Sequence, residues 1–167
     1  MFNSLKDQFK NRTIDKEYHA LVHGKVARDW GEINFPIARS ETADKMAARP
    51  IVIPAQAGIQ TLDPHFHEND SNCKEAKTEF LVEKKFTNFT LLKIKIHTGR
   101  MHQIRVHMLA YNHPLVGDPL YSQKKQKRTW DKKLGRLFLH SAKLGFTDLS
   151  GQKVSFESPL PKELDVF

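Results

Sequence analysis

HTGRMHQIRVHM, His97 to Met108, compresses a strand end, a glycine-containing turn and a helix start into twelve residues. Before it, Leu92, Ile94 and Ile96 alternate with Lys93, Lys95 and His97, which predicts a half-buried strand with one basic face. Thr98 and Gly99 break that strand. Arg100 to Tyr111 then reads as a helix on which Ile104, Met108 and Tyr111 share a stripe, as do Met101 and Arg105. Asn112, His113 and Pro114 end it. Arg100, His102, Gln103 and Arg105 crowd the junction, where free helix N–H groups and guanidinium forks suit phosphate or carboxylate oxygens.

Two other chemistries are disfavoured at this junction. His102 and His107 are five apart and fall on different helix faces, whereas zinc helices use an i, i+4 pair with a glutamate between. No Gly-x-Ser-x-Gly nucleophile turn is present, and Cys73 sits in a stretch without periodicity.

Outward from the junction, Glu79–Phe86 and Phe89–His97 read as a hairpin turning at Thr87–Asn88. Further upstream, Leu5–Phe9 suggests a short helix and Glu17–Val26 a strand. A turn is expected at Arg28–Glu32 and an extended piece at Ile33–Ile37. Downstream, strands are expected at Leu137–Phe146 and Lys153–Phe156, with a turn at Asp148–Gly151 and a C-terminal turn after Pro159 and Pro161. Helices and antiparallel strands mix without a βαβ rhythm, which predicts an α+β fold with a mainly antiparallel sheet and flanking helices. The segment 51–73 has neither a 2-residue nor a 3.6-residue period and is expected to be an inserted loop within one domain spanning 1–167.

The chain has 167 residues, 39% hydrophobic and 28% charged, the composition of a globular domain able to bury a core. No apolar run approaches the ~18 residues of a membrane span, the N-terminal segment has no apolar signal core, and Cys73 is the single cysteine. These features suggest a cytoplasmic protein. The net charge of +8 favours a polyanionic partner. The densest run, KKQKRTWDKKLGR from Lys124 to Arg136, has seven basic residues in thirteen with Trp130 among them. Lys124, Lys125, Lys127 and Arg128 are candidate phosphate contacts, beside an indole that can stack on a base.

Thr98 to Tyr121, TGRMHQIRVHMLAYNHPLVGDPLY, closely resembles the signature of RluA-type RNA pseudouridine synthases, TGR-x-HQIR-x-H followed by HP-x-x-GD-x-x-Y. Other pieces agree in order. Phe9 to Val22 resembles F-x-x-R-x-x-x-K-x-Y-x-A-x-V, Ile33 to Arg39 resembles I-x-x-PI-x-R, and Lys74 to Thr78 resembles K-x-A-x-T. Leu139–Ser141 and Phe156–Pro161 match C-terminal elements of the family, so the likeness spares only 51–73. Within that segment VIPAQAGIQ is similar to a translated mobile repeat of bacterial genomes.

The resemblance implies an isomerase that turns uridine into pseudouridine in structured RNA, ribosomal RNA before transfer RNA, using no cofactor and no metal. The target base is flipped from its stack into a pocket. An aspartate attacks covalently, the base detaches and turns, and C5 bonds to the ribose. By resemblance Tyr18 stacks on the base and assists proton removal, and Arg105 pairs with the aspartate. Ile104 walls the base, while Arg100, His102 and Gln103 line or shape the substrate turn; Gly117 and Asp118 look structural.

The family's aspartate lies in an H-R-L-D…T-S-G motif upstream of F-x-x-R, and no aspartate here occupies such a motif. The resemblance therefore implies that the nucleophile, its neighbouring arginine and several core strands belong to a segment encoded upstream, that the fold here is N-terminally incomplete, and that these residues alone are inactive and fold poorly. The alternative is a catalytically inactive remnant that keeps only RNA binding.

Overall fold

A computed structural model describes residues 1–40, 45–49, 73–121 and 134–164. Two helices and eight strands are found there: α1 (Phe2–Lys10), β1 (Asp15–His23), β2 (Trp30–Ile33), β3 (Ile37–Arg39), β4 (Met46–Ala48), β5 (Thr78–Lys85), β6 (Phe89–Ile96), α2 (Gln103–Ala110), β7 (Leu139–Thr147) and β8 (Lys153–Glu157). Six strands form one sheet in the order β2-β5-β6-β1-β7-β8, and each neighbouring pair is antiparallel. β3 and β4 form a separate hairpin. The expected α+β class, mainly antiparallel, is what the chain adopts.

Strand alternation sorts the side chains into layers. Ala20 and Val22 of β1, Leu92 and Ile94 of β6 and Phe80 of β5 point to one face, where Ile104 and Met108 of α2 cover them. Leu21 points to the other face and packs with Phe89, Val116, Phe138 and Leu164. Behind α2, Val106 meets Ile37, Ala76 and Tyr121. α2 is thus buried on most sides, rather than along the single stripe that its sequence suggests.

Several boundaries differ from the sequence reading. β1 ends at His23, three residues early, because Gly24 takes φ +85° and Thr90 Oγ1 fastens the turn, donating to Gly24 O and accepting from Val26 N. The turn expected at Arg28–Glu32 gives way at Trp30 to an edge strand. Gly31 serves packing there: a Cβ would lie 2.5 Å from the Phe80 ring. The basic face of β6 is neutralised, since Lys93 pairs with Glu17 at 2.8 Å and Lys95 with Asp15 at 2.9 Å. The hairpin of β5 and β6 and the β7–β8 pair agree with the reading to within two residues. The candidate phosphate contacts Lys124, Lys125, Lys127 and Arg128, and nearly all of 51–73, lie outside the described residues.

The segment after α2 is tied into the sheet layer by Val116, whose N–H donates to Leu21 O and whose carbonyl accepts from Phe138 N, both at 2.9 Å. Gly117 follows with φ +72°, and a Cβ there would lie 1.9 Å from the Arg136 carbonyl oxygen. Gly135 has a similar φ of +67° but open space around it. Gly117→Ala is expected to cost at least about 3 kcal/mol in urea unfolding, and Gly135→Ala only the ~1–2 kcal/mol of left-handed strain. Equal losses at the two sites would contradict the close approach at Gly117.

Candidate active site

The junction between β6 and α2 is built around one amide. Gln103 Oε1 accepts from Thr98 Oγ1 at 2.7 Å and from Arg100 N at 3.0 Å. Gln103 Nε2 donates to Lys77 O at 2.9 Å and to Thr78 Oγ1 at 3.0 Å. Two acceptor and two donor positions are a complete complement for a glutamine, so this buried side chain has nothing left to offer substrate. The amide also explains why α2 starts three residues later than its sequence suggests. Gln103 folds back on Arg100, and His102 between them takes a left-handed φ of +57°.

One turn along, His107 is held from both nitrogens. Nε2 lies 2.8 Å from Phe35 O and Nδ1 2.9 Å from Thr78 Oγ1. A carbonyl only accepts, so Nε2 carries the proton and Nδ1 accepts from the hydroxyl. Burial pushes the imidazole down to about 4, against the opposing effect of the Phe35 carbonyl.

Arg105 projects from α2 in another direction. Its Nε donates to Asp118 Oδ2 at 2.8 Å and its Nη2 to Asp118 Oδ1 at 2.7 Å. The Asp118 side chain is fully buried and Arg105 is 14% exposed. Asp118 Oδ1 also accepts from the backbone N–H of Leu120 and of Tyr121, at 2.9 and 3.0 Å. Burial pushes the Asp118 carboxyl up, but the Arg105 and backbone hydrogen bonds outweigh it and hold the carboxyl below its ordinary range. The guanidinium lies 4.8 Å above the Tyr121 ring, and the Tyr121 hydroxyl accepts from Met46 N and meets His102 Nδ1 at 2.9 Å. Asp118 occupies the Nε–Nη2 edge of the guanidinium, so the Nη1–Nη2 edge keeps the geometry for a second carboxylate.

Tyr18 stands on β1, opposite Ile94 of β6 and Ser141 of β7. The β1–β7 register shifts between Glu17 and Tyr18 because Ala142 of β7 is the extra residue of a bulge, which brings Ser141 opposite Tyr18 while β1 keeps its regular alternation. The ring packs half-buried on the core cluster that contains Ile104. Burial pushes the phenol up, and a hydrogen bond from the Ser141 side chain opposes it.

The structure therefore gathers His102, Arg105, Asp118 and Tyr121 into one connected group, and Tyr18, Ile104 and Ser141 into another. The two meet at the bond between Ile104 and Arg105, which send their side chains different ways. Arg100 lies apart, its Nε donating to Glu75 O at 3.0 Å. In sequence, Tyr121 and Ser141 are motif positions without an assigned role, and Asp118 reads as structural. The GD-x-x-Y spacing was the available signal: it places a carboxylate three residues before the tyrosine whose amide it caps.

A model of the family described as RNA pseudouridylate synthase matches residues 1–110. An uncharacterized RNA pseudouridine synthase of Bacillus subtilis, YlyB, is 36% identical over 162 residues, which cover 96% of this chain and 45% of that protein. Ribosomal large subunit pseudouridine synthase D of Nitrosomonas europaea is 38% identical over 164 residues, covering 96% of this chain and 42% of that protein. Among solved structures, human RNA pseudouridylate synthase domain containing 1 superposes with a TM-score of 0.73 at 25% identity, over 95% of this chain and 60% of that one. The chain spans under half the length of these two curated relatives.

The His107 geometry makes a prediction about pH. The unfolded chain takes up the imidazole proton near 6.5 and the folded chain only near 4. The contribution to stability is complete above 6.5 and is lost as pH falls through about 4. Urea unfolding is expected to show a loss on the order of 3 kcal/mol from this group across that window, and His107→Gln to lack that share. Identical pH dependence in the two proteins would contradict a buried neutral ring.

Proposed function

The chain belongs to the RNA pseudouridylate synthase family, and from that premise we propose that it carries the base-binding side of an active site that isomerises uridine to pseudouridine in structured RNA, with ribosomal RNA the favoured substrate. The observation that carries the reading is the arrangement around α2. One helix supplies Ile104 to the apolar cluster under Tyr18 and, at the next residue, a guanidinium with one edge committed and one edge open.

Each feature suits a step of the reaction. A flipped uracil stacks on the Tyr18 ring with the Ile104 cluster as its wall, a contact worth roughly 1–3 kcal/mol. The open edge of Arg105 holds the nucleophilic aspartate ionised and aimed, and Asp118 fixes the guanidinium for that task. The aspartate itself comes from polypeptide outside these residues. Once the glycosidic bond has broken and C5 has bonded to the ribose, the C5 proton must leave. The Tyr18 phenol, hydrogen-bonded by Ser141, stands over the ring to assist. The name of the Nitrosomonas relative supports a ribosomal substrate.

Pseudouridine mapping in RNA from cells lacking the gene tests this. One or a few sites, in ribosomal RNA, are expected to disappear. The wild-type gene should restore them, whereas Tyr18→Phe and Arg105→Met should slow modification by at least about 100-fold. An unchanged pseudouridine pattern in the deletion strain would favour the inactive RNA-binding remnant instead.

A further inference from the structure

Two residues before Tyr18, on the same face of β1, stands Lys16, buried to 9% exposure. Long cationic side chains are almost never buried without a partner. Lys16 has no carboxylate and no hydrogen-bond acceptor among the described residues. Its neighbours on the strand do not serve it: Asp15 and Glu17 point to the opposite face, where Lys95 and Lys93 hold them at 2.9 and 2.8 Å. What faces the ammonium is the ring of Phe9, 5.7 Å from Nζ to its centroid, and the exposed backbone of Gly99. A Cβ at Gly99 would lie 3.8 Å from Lys16 Nζ, so the glycine leaves that side of the ammonium uncovered. Burial also lowers the pKa of this lysine, and no acid beside it opposes the shift.

We propose that Lys16 is a phosphate ligand for the RNA backbone beside the flipped uridine, reached across the open Gly99 turn. The proposal rests on the reading of Tyr18 as the base-stacking residue. Residues i and i+2 of a strand lie about 7 Å apart, the scale of one nucleotide, so base and phosphate are held by neighbouring positions on one face. The methylene stem is buried while Nζ keeps solvent access, so the ammonium is held in place and open to an anion, and the RNA phosphate is the anion that a base-flipping site brings there.

The test uses the full chain and a fluorescein-labelled oligouridylate, titrated by anisotropy over a series of salt concentrations. Lys16→Met is expected to weaken binding about five- to tenfold at low salt and to reduce the slope of log affinity against log salt by about 0.7, one single-strand phosphate contact. Lys16→Arg should restore the slope. The melting temperature of Lys16→Met should match that of the wild type, because methionine fills the space of the buried stem. An unchanged slope, or a destabilised Lys16→Met, overturns the assignment of Lys16 and leaves the RNA site standing. Failure of the wild-type chain to bind the oligonucleotide overturns both.

Discussion

Two polar side chains one turn apart on α2, Gln103 and His107, converge on a single hydroxyl, that of Thr78 on β5. The pair is spaced i, i+4 and so shares a helix face. All of these groups are buried, and each is satisfied only in this arrangement, so a roll of the helix would leave amide and imidazole unpaired at a cost of about 1–3 kcal/mol each. The lock fixes the roll of α2, and the roll decides where every other residue of the helix points. Ile104 goes to the sheet and Arg105 to the loop carrying Asp118 because Gln103 and His107 have already chosen their side.

The second consequence is electrostatic. Asp118 is buried, ionised and capped by two amides, which makes it a rigid partner for Arg105 rather than a mobile surface carboxylate. The ion pairs on the outer face of the sheet are different in kind. Lys93–Glu17, Lys95–Asp15 and Lys143–Glu157 are partly solvated and worth little each, but they neutralise that face. The strand that looks basic in sequence is therefore not the basic surface of the folded protein. An RNA chain gains little by approaching there, and the side of the sheet that bears Tyr18, Lys16 and the Gly99 turn is the one on which attraction remains.

How much of this was legible beforehand follows from which interactions are local. The β5–β6 and β7–β8 hairpins announced themselves by alternation and by turn residues at the right intervals. Trp30–Ile33 did not, because Gly31 reads as a turn residue until Phe80, far along the chain, is seen to need the space. The short β3–β4 hairpin leaves no periodic trace in three-residue strands flanked by Pro36. The start of α2 differs from the sequence pattern because Arg100 to His102 are drawn into a turn by the Gln103 amide and a left-handed His102, which no local periodicity signals. Tyr18, Ile104 and Arg105 were identified from an ordered family pattern, not from periodicity. The Asp118–Arg105 pair spans thirteen residues and a change of direction, and only the fold brings it together. Ser141 was noted as part of a motif, but its meeting with Tyr18 depends on a strand register that no local signal fixes.

The central claim is that adjacent residues of α2 serve one uridine from two sides, Ile104 beneath a base stacked on Tyr18 and Arg105 toward the ribose. A crystal structure of this chain with a short uridine-containing RNA tests that most directly. The account predicts an extruded uracil against the Tyr18 ring, in contact with Ile104, with Arg105 still gripping Asp118 and its other edge turned toward the ribose. RNA bound with no base at Tyr18, or an Arg105 that abandons Asp118 for the phosphate backbone, would contradict it.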